Sequence, residues 1–359
     1  MIKEGKIKLD IEMPDKVSKK LDVFYNPKMV INRDSSIQFI KSYAKKSNPL
    51  RVALPLAGSG VRGVRFLVEI PDYIAELSFN DLDKLSVLKI IENLELNHIR
   101  DFNKFKLFRQ EAQTFLLESK GFDYIDLDPF GSPNPFLDSA CQRLARDGIL
   151  AITATDTAPL CGSYPKVCLR DYDAMPINNE LMHIAGLRIL IRKAQLVASQ
   201  YDKALIPMYS FSKDHYFRLY LKCVKSKSLS NDIVKLHKFM LFCPDCRNYE
   251  YSTFNAKKCG CGRDMLFAGK MFSGDLWDQK ITSKINLIPE INEECLFSGK
   301  YYDIHEMCSC LKTKSIPKFN ALITELNKVG KASRSHFSKK LLKTSVDHSK
   351  LVEIIRKLS

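Results

Sequence analysis

The chain alternates short, dense apolar runs with longer stretches in which apolar residues recur every three or four positions. Runs at 51–57, 73–79, 105–108, 122–127 and 149–155 are rich in Val, Ile, Leu and Phe and predict buried strands. The intervening spacing predicts helices. Ile37, Ile40 and Ala44 give one over Ser35 to Lys46 with Asp34 as its N-cap, and Val61 to Glu69 gives a second. Leu85, Leu88, Ile91 and Leu94 give a third over Leu82 to Leu96, and Pro135, Phe136, Leu137, Ala140 and Leu144 a fourth, closed by Asp147-Gly148. An irregular connection at 158–172 leads to a helix over Asn179 to Ser199, after which Ala204 to Ser210 and His215 to Val224 read as an antiparallel pair around SKDH. Strands alternating with helices predict an α/β fold. VKSKSLSND at Val224 to Asp232 reads as a linker, so that residues 1–225 form one domain and 226–359 a second. The second ends in helical pieces at Lys318 to Lys328, Ser333 to Leu342 around Phe337, and Lys350 to Leu358, a winged-helix-like arrangement with its basic residues outward.

Chemistry concentrates at 122–135, FDYIDLDPFGSPNP, where a buried strand runs into an acid and a proline. Open α/β sheets bind ligands at the carboxyl ends of their strands. There Asp128 offers an acceptor, Pro129 a carbonyl without a competing amide hydrogen, and Phe130 an aromatic face. The trio suits a planar ring bearing an amine. Upstream, Gly58 and Gly60 in AGSGVRGVRF allow a tight turn and close approach of a ligand to the start of the next helix. The following strand leads to Asp81, from which a carboxylate reaches ribose hydroxyls in doubly wound folds; the competing reading makes Asp81 the first residue of the next helix.

DLDPFGSP resembles the fourth motif of amino-group methyltransferases in the form used by the tRNA (guanine26-N2)-dimethyltransferase family. FYNPKMVINRD (Phe24 to Asp34), GSGVRGVRF, TATDTAPLCG (Thr153 to Gly162) and KDHYFR (Lys213 to Arg218) are similar to further blocks of that family, and together they span most of the first 220 residues. The resemblance implies a class I, Rossmann-like methyltransferase sheet, S-adenosylmethionine as methyl donor, and tRNA as substrate. It also implies that Arg33 pairs with the methionine carboxylate of the donor in bidentate fashion, that Arg62 joins the donor site, and that Glu111 and the Ala112 amide meet the adenosine part. Without it, Arg33 reads equally as a structural arginine and Glu111 as an exposed loop glutamate. The implied product is N2-methyl- and N2,N2-dimethylguanosine at position 26.

Charge points the same way. The 359 residues carry a net charge of +15, and an excess of nine basic over acidic residues lies in the last 49. A polyanionic partner fits this, against the alternative of an ordinary lysine-rich surface. Arg334, His336, Lys339, Lys340 and Lys343, in a stretch similar to the family's C-terminal block, are the candidates for RNA phosphate contacts. The N-terminal residues MIKEGKIKLD are polar and no run approaches the length of a membrane span, so the expectation is a cytoplasmic protein without an export signal and with no obligatory protein partner. Eleven scattered cysteines then predict reduced thiols. Cys243, Cys246, Cys259 and Cys261 form a CxxC and a CxC pair that fit a structural four-cysteine zinc ribbon, the short second pair leaving free thiols or a decayed site open. Cys308 and Cys310 rank below them as ligands, and Cys161 and Cys168 read as packed thiols. Two rivals remain at this stage: an amino-methyltransferase acting on DNA, and a non-enzymatic nucleic-acid-binding protein on a methyltransferase scaffold.

Overall fold

In a computed structural model the structure describes residues 1–11 and 25–359; Phe24, the first residue of the FYNPKMVINRD block, lies outside them. The chain divides into two compact units: Met1–Thr155 with Val197–Tyr209 and Arg218–Ser230, and Asp156–Leu196 with Ser210–Phe217 and Asn231–Ser359.

The chain opens with an antiparallel pair, β1 (Ile2–Glu4) and β2 (Ile7–Leu9). Then come α1 (Val30–Tyr43), β3 (Leu50–Leu54), α2 (Val61–Glu69), β4 (Ile74–Asn80), α3 (Lys84–Leu96), β5 (Phe105–Phe108), α4 (Ala112–Glu118), β6 (Phe122–Leu127), α5 (Asn134–Arg143) and β7 (Leu144–Ala154). After α6 (Thr157–Leu160), α7 (Pro165–Tyr172) and α8 (Met182–Ser199), strands β8 (Lys203–Lys213) and β9 (Tyr216–Lys225) complete a seven-stranded sheet of order β5-β4-β3-β6-β7-β9-β8. The pairs among β3 to β7 are parallel, whereas β8 and β9 are joined by Asp214-His215 alone, a link short enough only for antiparallel neighbours. Tyr124, Ile125 and Leu127 of β6 and Ile149 to Ile152 of β7 have no exposed surface. Burial on both faces is why these strands read as continuous apolar runs rather than alternating ones. From β3 the chain order runs outward to β4 on one side and to β6 on the other, the switch point at which such sheets hold ligands.

Several local expectations need correction. Helix α1 starts before Ser35, after a 3-10 turn at Pro27–Met29 in which the Asn26 side chain accepts from the Lys28 amide at 2.9 Å. Asp34 is therefore inside the helix and pairs with Arg65 at 2.7 Å instead of capping. In α3, Leu85 and Leu88 are exposed, and the buried face runs through Ser86, Ile90, Asn93 and Leu94. Asn93 earns its interior place by donating to the Ser59 carbonyl and accepting from the Asp10 amide, so a polar residue occupies a position that apolar spacing cannot reveal. The 158–172 connection is largely helical (α6 and α7), with Pro165 at a first helical position. The 224–232 linker is the end of β9 and the start of helix α9 (Lys227–Lys235).

The second unit contains an antiparallel sheet of order β11-β10-β12, built from β10 (His237–Phe242), β11 (Tyr249–Ser252) and β12 (Leu266–Phe272). The remaining elements are α10 (Gln279–Thr282), α11 (Pro289–Glu294), β13 (Lys300–Asp303), α12 (Ile304–Leu311), α13 (Phe319–Leu326), β14 (Ala332–Arg334), β15 (Leu341–Thr344) and α14 (His348–Leu358). Two helices followed by a β-hairpin, with strand order β13-β15-β14, make the winged-helix-like end around Tyr302, Met307, Leu322, Leu342 and Leu351. The helix expected over Ser333 to Leu342 is this hairpin. Phe337 is buried in its connection, where Glu294 binds the His336 amide at 2.7 Å and fixes a non-helical path. Among the described residues no helix is long and apolar enough to cross a membrane.

Candidate active site

A cavity of about 660 Å³ opens at the carboxyl ends of β3, β4 and β6 and is lined by Arg33, Gly58, Arg62, Asp81, Asp128, Pro129 and Phe130, among others. Gly60 shapes it from behind: it caps α2 at φ 76°, and a Cβ there would come within 2.8 Å of Ile90. Asp81 accepts from the Gly58 amide at 2.7 Å and from the Asp83 amide at 3.0 Å. The N-cap of α3 is Asp83, whose carboxylate accepts from the Ser86 amide at 2.8 Å, so Asp81 is free of the capping role. Burial pushes the Asp81 carboxyl above its ordinary value, against the pull of the backbone amides. Glu111, an exposed residue at the N-cap of α4, and Ala112, buried in its first turn, are not among the residues lining the cavity.

Two carboxylates at the end of β6 are held by arginines from other elements. Arg218 of β9 is fully buried and forks onto Asp126, with Nη1 donating to Oδ1 at 2.8 Å and Nη2 to Oδ2 at 2.7 Å. Arg62 of α2 lies 3.5 Å from Asp126 and donates from Nη2 to Asp128 Oδ2 at 2.5 Å, while also donating to Ser36 and Asn32 of α1. Burial alone would push the Asp126 carboxyl up, but the guanidiniums of Arg218 and Arg62 outweigh it and hold it below its ordinary value. Asp126 is thus an anchor shared with Asp128 through Arg62, and Asp128, its side chain 27% exposed, keeps acceptor capacity toward the cavity. In the sequence Arg218 stands out only as part of KDHYFR, and nothing there marks Asn32 or Ser36. An arginine inside the apolar strand YFRLYL was the available clue.

Arg33 departs from its expected geometry. Its fork is taken by Glu4 of β1, with Nε and Nη2 donating to the two carboxylate oxygens at 2.7 and 2.6 Å, and Tyr25 bonds the same glutamate. A ligand carboxylate in the cavity would therefore meet the guanidinium's other edge, not the bidentate face. The loop bearing Phe130, a residue 44% exposed, is pinned to the end of β7: the Gly131 amide donates to Thr155 Oγ1 at 2.8 Å and the Thr155 amide to the Gly131 carbonyl at 3.1 Å.

In the second unit the sulfurs of Cys243, Cys246, Cys259 and Cys261 all lie within 4.8 Å of one another, two pairs being 3.5 Å apart. A tetrahedral ion bound at about 2.3 Å by four sulfurs needs edges of roughly 3.8 Å, so the group fits a metal ion of that kind. Cys308 packs in the core and Cys310 accepts from Arg247, apart from this cluster. Of the expected RNA contacts, Arg334, Lys339 and Lys340 are exposed on the hairpin. His336 and Lys343 lie inside instead: the imidazole is buried against Glu294 at 2.7 Å, and the Lys343 ammonium is buried and donates to the carbonyls of Glu294 and Phe297. Neither presents its charge on the surface of the hairpin.

Residues 5–356 match the family model described as N2,N2-dimethylguanosine tRNA methyltransferase. A relative from Aquifex aeolicus, named tRNA (guanine(26)-N(2)/guanine(27)-N(2))-dimethyltransferase, is 38% identical over 79% of this chain and 74% of its own. A tRNA (guanine(26)-N(2))-dimethyltransferase from Methanobrevibacter smithii is 34% identical over 100% of this chain and 97% of its own. Among solved structures, Trm1 from Pyrococcus horikoshii in complex with S-adenosyl-L-methionine superposes with a TM-score of 0.86 at 30% identity, covering 99% of each chain.

Proposed function

Because the chain belongs to the N2,N2-dimethylguanosine tRNA methyltransferase family, we infer that it transfers methyl groups from S-adenosylmethionine to the exocyclic N2 of guanine 26 in tRNA, giving N2-methyl- and N2,N2-dimethylguanosine. The observation that carries the reading is the Asp128-Pro129-Phe130 trio on the wall of a switch-point cavity that also holds the Gly58 amide and Asp81.

The donor, when bound, supplies an electrophilic methyl on a sulfonium. Asp81 and the turn at Gly58 are the proposed contacts to its nucleoside part, with Arg62 and the free edge of Arg33 toward its amino-acid end. Glu111 and Ala112 remain proposed adenosine contacts by resemblance alone. On the substrate side, the N2 lone pair of guanine is delocalised into the ring, which makes it a poor nucleophile. Asp128 and the Pro129 carbonyl each accept one N–H of that amine, favouring a more tetrahedral nitrogen whose lone pair is free to attack. Phe130 stacks on the base. Arg62 fixes the Asp128 carboxylate without consuming its second oxygen. The proton released after methyl transfer passes to solvent or through the carboxylate, so no strongly shifted general base is required. Arg334, Lys339 and Lys340 are the proposed phosphate contacts.

Mass spectrometry of nucleosides from tRNA incubated with the protein and S-adenosylmethionine tests the reaction. N2,N2-dimethylguanosine from a guanine-26 tRNA, with no methyl incorporated when inosine replaces that guanine, is the expected result. Incorporation into the inosine transcript at position 26 would overturn N2 as acceptor, and transfer to duplex DNA in preference to tRNA would favour the DNA enzyme. We further assign the four-cysteine cluster to a structural zinc that holds the 243–261 loops. Elemental analysis of purified protein is expected to give one zinc per chain, lost on Cys246→Ser; a zinc-free, fully folded wild-type protein would refute this.

A further inference from the structure

A second cavity, of about 420 Å³, lies within the second unit and takes no part in the chemistry above. Its walls include two cations that are almost wholly buried, Arg188 (8% exposed) and Lys343 (5%). Both spend hydrogen bonds on neutral carbonyls. Arg188 Nη1 donates to the Phe272 and Gly274 carbonyls at 2.8 and 2.7 Å, and Lys343 Nζ to those of Glu294 and Phe297 at 2.6 and 2.7 Å. Neither forms an ion pair among the described residues. The two acids on the cavity wall are otherwise engaged, Glu294 by the His336 amide and imidazole at 2.7 Å and by Ser335, and Asp275 by Ser298.

Uncompensated donors accompany this unbalanced charge. Arg188 Nε and the Tyr251 hydroxyl, both lining the cavity, are buried with no hydrogen-bond partner among the described residues, and an ammonium with two bonds has a third hydrogen to give. The Trp277, Phe297 and Tyr301 rings surround the Lys343 ammonium at 5.1, 5.0 and 5.7 Å; they ease the burial of its charge but do not neutralise it. Burying two cations outside any direct ion pair and orphaning donors beside them is costly, and a compact, acceptor-rich anion entering the cavity would offset both costs. Burial pulls the Lys343 amine down to about 8, a shift that such an anion would oppose.

We propose that this cavity binds a phosphate-class oxyanion through Lys343, Arg188 and the Tyr251 hydroxyl. The group is either free phosphate or a phosphate of bound RNA, the latter resting on the tRNA reading above. Trp277, the only tryptophan of the chain, lines the cavity and makes its fluorescence a local reporter.

The test titrates the full chain with inorganic phosphate, using chloride at matched ionic strength as control. A saturable change in Trp277 emission is expected, lost in Lys343→Met. In Tyr251→Phe, which removes only an unpartnered hydroxyl, the half-saturation concentration is expected to rise about tenfold, the worth of one hydrogen bond to a charged group. A response reproduced by chloride, or one unchanged in Tyr251→Phe, overturns the proposal even if Lys343→Met does not fold. Repeating the titration with saturating tRNA identifies the source: displacement of phosphate assigns the site to an RNA phosphate, and undiminished binding assigns it to the free ion. No methyl donor is present, so this result stands or falls separately from the transfer reaction.

Discussion

Arg218 and Lys343 are both buried cations, yet their surroundings differ in kind. Arg218 meets a carboxylate through a two-bond fork, and that carboxylate is shared with Arg62, which in turn holds Asp128. Lys343 meets two carbonyl oxygens and three aromatic rings, with the nearest acid already bonded elsewhere. Charges matched within the fold fix a geometry, and in the first unit the geometry fixed is that of the proposed catalytic carboxylate. Charges left unmatched keep affinity in reserve for something that arrives from outside.

The comparison can be broken by removing each cation in turn. Arg218→Ala leaves Asp126 buried with the Tyr124 hydroxyl and the longer Arg62 contact, and removing one partner of a buried ion pair costs about 3–5 kcal/mol. Urea unfolding is expected to show a loss of that size; a loss within error of zero would mean that the fork is not a structural anchor. Lys343→Met should have a smaller effect of opposite sign in phosphate-free buffer. The folded amine titrates near 8 and the unfolded one near 10.5, so between those values the unfolded chain binds more protons and wild-type stability rises with pH. That contribution is present above the unfolded value and lost as pH falls through the folded one. The groups around it, Glu294, Asp275, Arg188 and Cys295, are common to both proteins. The difference between wild type and Lys343→Met is therefore expected to slope across this window, and a flat difference would contradict the burial of an uncompensated amine.

The sheet was legible because its strands are buried on both faces and announce themselves as apolar runs, and the DLDPFGSP string placed Asp128 at a strand end without further help. What escaped was polar. The inner faces of α1 and α3 carry Asn32, Ser35, Ser36 and Asn93, and periodicity counted on apolar residues necessarily missed their register. Glu4 could not be matched to Arg33 from a sequence in which they stand far apart, so the arginine was assigned a ligand it shares with a strand of its own fold. His336 and Lys343 looked like surface charge because basic residues usually are; their burial follows from Glu294 and from an aromatic enclosure assembled across distant segments.

The carboxylate at the end of β6 is proposed to activate the guanine amine. That activation is tested most directly by single-turnover methyl transfer to tRNA by Asp128→Ala, measured beside equilibrium binding of S-adenosylmethionine. We expect transfer to fall by about two to three orders of magnitude, the typical worth of one preorganised group at a reacting centre, with donor affinity essentially unchanged. Transfer at the wild-type rate would contradict the claim.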